Sequence, residues 1–202
     1  MSKTVFIKNY TLPEIDKDEV LRYMGVRVSD ESTDSLVDFC ISECEKENCF
    51  VGKVCFAFFD AKITQQIIDT GVATIKSDSL SKHIEGCEKI IIFAATVGVG
   101  IDRLIEKYSR LSPSKALCLS SIGAQRIESL CDAFCDDIKA EYSEFSHKSR
   151  FSPGYGDFDI SNQGDIFGLL NCSKNIGLSL CDSFIMSPSK SVTAIIGLKA
   201  KE

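Results

Sequence analysis

The sequence predicts an α+β fold in which a twisted, mostly antiparallel sheet is flanked by helices. Three observations point there. Strand and helix patterns do not alternate strictly, which speaks against a doubly wound parallel sheet. Residues 53–59 and 89–96 are apolar at nearly every position, the pattern of strands covered on both faces. Two C-terminal strand patterns, 180–186 and 191–198, are joined by Ser187-Pro188-Ser189-Lys190 alone. A connection that short serves antiparallel neighbours.

The elements follow in order. Residues 4–7 read as a short strand, and Leu12-Pro13-Glu14-Ile15 as a turn. Asp16 or Asp18 opens a short helix that stops at Gly25. A residue between Asp30 and Asp34 caps the next helix, where Val37, Cys40, Ile41 and Cys44 recur at helical spacing. The 53–59 strand comes next, then a weaker strand pattern at 72–75 and a short helix opened by Ser77 or Asp78. The 89–96 strand runs through Gly98-Val99-Gly100 into a helix carrying Leu104, Ile105 and Tyr108. That Gly-x-Gly turn has Arg103 where a dinucleotide fingerprint needs its third glycine, so a plain tight turn is expected.

Ser112-Pro113 starts the longest helix, with proline in its first turn. Its Ser120-Ser121-Ile122-Gly123-Ala124 stretch is small enough to admit another backbone or a ligand, and Glu128 and Asp132 follow four apart. A further helix runs from Ser161 or Asn162 to Leu170, and Asn175-Ile176-Gly177 turns the chain. The strands at 180–186 and 191–198 precede a polar tail, 199–202.

Bulk properties bound the function. The 202 residues suit one domain or two small lobes, with 44% apolar and 26% charged side chains. A net charge of −6 argues against a phosphate-backbone binder, so no nucleic-acid partner is expected. Ten cysteines occur without a C-x-x-C, and there are two histidines, His83 and His147. The 40/44 and 131/135 steps are helical, unlike loop-borne zinc or iron–sulfur spacing, so buried free thiols and no metal are expected. Free thiols fit a reducing cytoplasm. The N-terminus has no signal-peptide pattern, and no apolar run reaches the roughly 20 residues of a membrane span. A cytoplasmic protein without a membrane partner is the expectation.

Residues 150–157 concentrate the chemistry: Arg150-Phe151-Ser152-Pro153-Gly154-Tyr155-Gly156-Asp157. Pro153 stiffens the segment and pushes Ser152 toward extended backbone, while the glycines allow positive φ. Arg150 can hold a carboxylate through two hydrogen bonds. Tyr155 can stack and donate, and Asp157 can accept from an ammonium or hydroxyls. Such a set suits a small zwitterion. From the chemistry of these residues alone, a Pro-Gly turn with a surface arginine is the default reading.

Other segments add to that loop. Arg150, Pro153, Gly154 and Tyr155 fit an R-x-x-P-G-Y pattern, followed by Ser183-Phe184-Ile185-Met186-Ser187-Pro188 and Ser191-Val192. In order and spacing these resemble the activation domain of cobalamin-dependent methionine synthase across roughly residues 115–198. Residues 175–188 are similar to a helix of that family and Ser191-Val192 to its following strand. Glu19 to Gly25 and Ala95 to Gly98 resemble short stand-alone relatives, so residues 1–202 are expected to form a single activation-domain-like domain.

The resemblance implies a C-shaped α+β fold with a twisted antiparallel sheet, and binding of S-adenosylmethionine. It implies that Arg150 meets the methionyl carboxylate, that Tyr155 closes the pocket, and that backbone at Phe151, Ser152, Pro153 and Gly154 meets adenine or ribose. Asp157 and Glu128 are the carboxylates placed to favour the sulfonium. Cobalamin enters only through a partner, a cobalamin-dependent methionine synthase or another corrinoid protein, with a flavodoxin-like electron donor. The sequence departs from the family where Gly156-Asp157-Phe158-Asp159 replaces Pro, Cys and His residues, and it lacks the N-terminal Asp-Trp segment and any tryptophan. No D-x-H-x-x-G corrinoid motif occurs. The expected role is a reactivation factor acting in trans, supporting reductive methylation of cob(II)alamin. A non-catalytic scaffold and a methyl-donor module for another corrinoid system are the alternatives.

Overall fold

The structure is a computed structural model and describes residues 4–201. Met1 to Lys3 of the N-terminal stretch and Glu202 of the polar tail lie outside the described residues. The main sheet has five strands: β1 (Phe6–Tyr10), β2 (Gly52–Asp60), β6 (Lys89–Thr96), β10 (Ser191–Ala200) and β7 (Phe145–His147), in that spatial order. Every neighbouring pair is antiparallel. The expected α+β architecture is therefore present.

The unbroken apolar runs have a simple cause. Alternate residues of each central strand enter two different cores. On one face Val54, Phe56, Ile91, Phe93, Ala95, Ala194, Ile196 and Leu198 meet the helices α1 (Lys17–Met24), α2 (Glu31–Lys46), α4 (Gly100–Ser109) and α5 (Pro113–Glu141). On the other face Cys55, Ala57, Phe59, Ile90, Ile92, Ala94 and Ile195 meet α3 (Asp78–His83), α6 (Asn162–Leu170) and α7 (Cys172–Ile176). A small sheet covers part of that second face: β3 (Lys62–Ile63), β4 (Ile67–Asp69) and β5 (Thr74–Lys76).

Local chemistry sets the helix ends. Asp16 accepts from the backbone N–H of Asp18 and Glu19 at 3.0 and 3.2 Å, and Gly25 closes α1 at φ 76°. Asp30 caps α2 through the Thr33 N–H at 2.8 Å. Pro113 occupies the first turn of the 29-residue α5, which at 1.5 Å per residue runs roughly 40 Å. Phe134 anchors that helix, with its ring 5.1 Å from Phe56 and 4.8 Å from Phe93. At the β6–α4 turn a side chain on Gly100 would stand 2.3 Å from the Cys49 carbonyl, so glycine there permits close packing of backbone on backbone.

Several expectations need correction. Residues 180–186 do not form one strand. They make a tight hairpin of β8 (Ser179–Leu180) and β9 (Met186–Ser187), with Phe184 at φ 59° reversing the chain. Nor do they pair with the last strand; β10 pairs with β6 and β7. Within 175–188 helix is confined to the end of α7, which Gly177 closes, so the helix expected there is mostly absent. The first strand is shifted to Phe6–Tyr10, and β10 continues to Ala200, taking in half of the expected tail. The weak pattern at 72–75 appears as β5, one member of a three-stranded sheet.

Candidate functional site

The 150–157 loop grows out of the sheet. After β7, the Lys148 N–H still donates to Gly197, and Phe151 exchanges two hydrogen bonds of 2.9 Å with Ile195. The start of the loop is thus a continuation of an edge strand. Pro153 then turns the chain, the Tyr155 N–H donates to Ser152, and the Gly154 N–H donates to Phe158 at 2.7 Å. Gly154 and Gly156 adopt φ 96° and 57°, where a side chain is disfavoured. At Gly156 a Cβ would also stand 2.5 Å from Ser79 Oγ, so the loop can lie directly on the start of α3.

Asp157 makes that contact specific. Its carboxylate accepts from Ser77 Oγ at 2.7 Å and from the backbone N–H of Asp78 and Ser79 at 2.8 and 2.9 Å. These bonds, the Ser77 hydroxyl first, hold its pKa well below the usual carboxylate range. Asp157 therefore ties the loop to the helix through three hydrogen bonds to the chain itself.

Arg150 points to α5. Its Nη2 donates to Glu128 Oε2 and Asp132 Oδ1, both at 2.9 Å. The arginine side chain is 23% exposed, while Glu128 and Asp132 are 43% and 68% exposed. Two carboxylates one helical turn apart thus hold one half-buried guanidinium. Beside it opens a cavity of about 370 Å³, whose wall includes Asp132, Cys135, Lys139, His147, Arg150 and Ile196. Asp132 is a site residue that the sequence suggests only through its four-residue spacing from Glu128.

The structure brings Arg150 and Glu128 together but leaves Tyr155 elsewhere. Tyr155 is 65% exposed, with its ring 6.1 Å from that of Phe151, and it does not line the Arg150 cavity. Phe151 is the centre of an aromatic group, 5.1 Å from the His83 ring and 6.3 Å from fully buried Phe158. His83 Nε2 lies 2.8 Å from the Ser149 carbonyl, and His147 Nε2 lies 3.0 Å from the Tyr142 carbonyl, so both imidazoles brace backbone. The small stretch of α5 receives a side chain of this same chain: Lys190 crosses Gly123 and donates to Ser120 Oγ at 3.0 Å.

The remaining motifs are structural in character. All ten cysteines are free, eight of them buried, and only Cys181 is exposed. Among the described residues no group of three His, Cys, Asp or Glu side chains is placed to hold a metal ion, and no helix is long and apolar enough to cross a membrane.

Comparison with known proteins places the fold and the family. No curated protein matches the sequence significantly. A solved structure, the MetH reactivation domain bound to AdoHcy, is similar with a TM-score of 0.71 at 14% identity, covering 99% of this chain and 80% of its own. That likeness establishes the fold. The family model for the activation domain of vitamin B12-dependent methionine synthase matches residues 61–201, which run from β3 through the 150–157 loop to β10. The chain belongs to the family of vitamin B12-dependent methionine synthase activation domains.

Proposed function

We propose that the chain binds S-adenosylmethionine beside the 150–157 loop and reactivates a cobalamin-dependent methionine synthase in trans. The observation that carries this reading is Arg150, a half-buried guanidinium shared between Glu128 and Asp132 at the wall of a cavity. The set fits a ligand with a carboxylate, an ammonium and a sulfonium. Arg150 keeps further N–H groups for the ligand carboxylate, and the exposed Glu128 and Asp132 offer negative charge to its cationic groups. Phe151, next in the chain to Arg150, presents a ring for the adenine. The AdoHcy bound to the MetH reactivation domain belongs to the same ligand class, which supports the choice.

S-adenosylmethionine supplies the methyl group: its C–S bond breaks, a methyl–cobalt bond forms on the partner's reduced corrinoid, and S-adenosylhomocysteine leaves. The chain's own contribution is alignment, because methyl transfer to a strong nucleophile needs positioning rather than a general acid or base. Asp157 serves that alignment by fixing the loop on α3. The partner is a cobalamin-dependent methionine synthase or another corrinoid protein, and the electron comes from a flavodoxin-like donor. A second reading, a non-catalytic scaffold, is favoured by one fact: Arg150 is already neutralised by two carboxylates. Calorimetric titration of the full chain with S-adenosylmethionine and with AdoHcy tests the proposal. Saturable heat at one site per chain is expected, and no heat with either ligand would sink it.

A further inference from the structure

A second cavity, of about 510 Å³, lies where residues 9–15, the end of α2 and the start of β2 meet α5. It shares no lining residue with the Arg150 cavity. Its wall includes Arg126, which is only 6% exposed. Arg126 and Glu128 are two positions apart on α5, about 200° around the helix, so they serve different sides of it.

The Arg126 guanidinium is poorly matched. Nη1 donates to the Pro13 carbonyl, the cation stands 5.4 Å from the centre of the Phe50 ring, and Nε is buried without a partner. No carboxylate pairs with it among the described residues. Cys44 and Cys49, also in the wall, supply thiols rather than carboxylates. Burial lowers its pKa, yet an arginine stays protonated. A buried cation without an anion is costly, and in a chain of net charge −6 a carboxylate partner was available to the sequence.

The rim carries Lys53, Glu14 and Glu45, none of them in an ion pair among the described residues. Two cations and two carboxylates therefore face one cavity, together with apolar surface from Leu12, Ile15 and Phe50. We infer that this cavity is a second ligand site, for a free α-amino acid with an apolar, thioether or aromatic side chain. The ligand carboxylate meets the Arg126 fork, its ammonium lies between Glu14 and Glu45, and its side chain covers Phe50 and Ile15. A planar monoanion suits a single guanidinium, whereas a phosphate dianion would bring surplus negative charge beside two glutamates. The volume is in the range of small-molecule sites. This site stands whether or not S-adenosylmethionine binds at Arg150.

Calorimetry on the full chain tests the inference, with L-methionine, L-leucine and L-phenylalanine as probes. Phenethylamine, which lacks the carboxylate, and inorganic phosphate are the controls. At least one amino acid is expected to bind once per chain, and neither control to bind. Arg126→Met should weaken the amino acid about thirtyfold or more, the lower end for removing one partner of a buried charge pair. Glu45→Gln, at an exposed position, should weaken it measurably, and Arg150→Ala should leave it unchanged. If Arg126→Met does not fold, Glu45→Gln and phenethylamine decide the matter. Silence from all three amino acids overturns the inference. So does undiminished affinity in Arg126→Met or Glu45→Gln, equal binding of phenethylamine or phosphate, or loss of binding in Arg150→Ala.

Discussion

Replacing Arg150 by alanine separates a ligand-binding arginine from a structural clamp. The fold should lose little. Arg150 is held by two carboxylates that are 43% and 68% exposed, so water takes over their solvation once the guanidinium is gone. Exposed ion pairs contribute about 0.2–1 kcal/mol each, which bounds the loss near 2 kcal/mol for the two. In a chain of this size each kcal/mol lowers the melting temperature by roughly 2–4 °C, so a drop of a few degrees is expected. Ligand affinity should fall much further. A charge-assisted contact to a ligand carboxylate is worth about 2–5 kcal/mol, or roughly thirtyfold to several thousandfold. Thermal unfolding and calorimetry with AdoHcy on the same preparations measure both. A fall of more than about 10 °C with affinity kept within threefold would make Arg150 a structural residue and refute the argument.

Other positions give independent checks. Asp157 has a depressed pKa, so its carboxylate stabilises the fold above about pH 4 and this contribution is lost as pH falls toward its folded value. Asp157→Asn should therefore lose less stability between about pH 4 and pH 2 than the wild type, measured by thermal unfolding across that range; parallel curves would remove its capping role. Phe134→Ala deletes a fully buried ring between Phe56 and Phe93 and should cost about 3–5 kcal/mol in denaturant unfolding. A thiol reagent should label one cysteine rapidly in the native protein, and Cys181→Ser should abolish that phase, since Cys181 is the exposed thiol.

The central sheet was legible because its chemistry is redundant. In β2 and β6 both residue parities are apolar, and only a strand between two cores requires that. The caps at Asp16 and Asp30 and the proline at α5 were legible for a local reason, since each acts within three residues of itself. The segment 180–186 was not, because a single reversal at Phe184 outweighs an apolar pattern that otherwise fits a strand. The strands β3 and β4 are two and three residues long, too short for any period to register.

The site shows the same division. The loop's bend follows from Pro153 and its two glycines, and it is present as expected. The targets of its charges are nonlocal. Asp157 meets residues about eighty positions earlier, and Arg150 meets α5 about twenty positions earlier. Nothing in the spacing of residues 150–157 names those partners. Arg126 is the clearest case, a charged side chain that the fold buries through contacts distant in sequence.

The proposed role meets its most direct test in the visible spectrum of a corrinoid. A cobalamin-dependent methionine synthase lacking its activation domain is charged with cob(II)alamin and mixed with this chain, S-adenosylmethionine and a one-electron reductant. Decay of the cob(II)alamin band into methylcobalamin, dependent on the chain and lost in Arg150→Ala, is the predicted result. A cob(II)alamin band that persists with the chain and S-adenosylmethionine both present would contradict it.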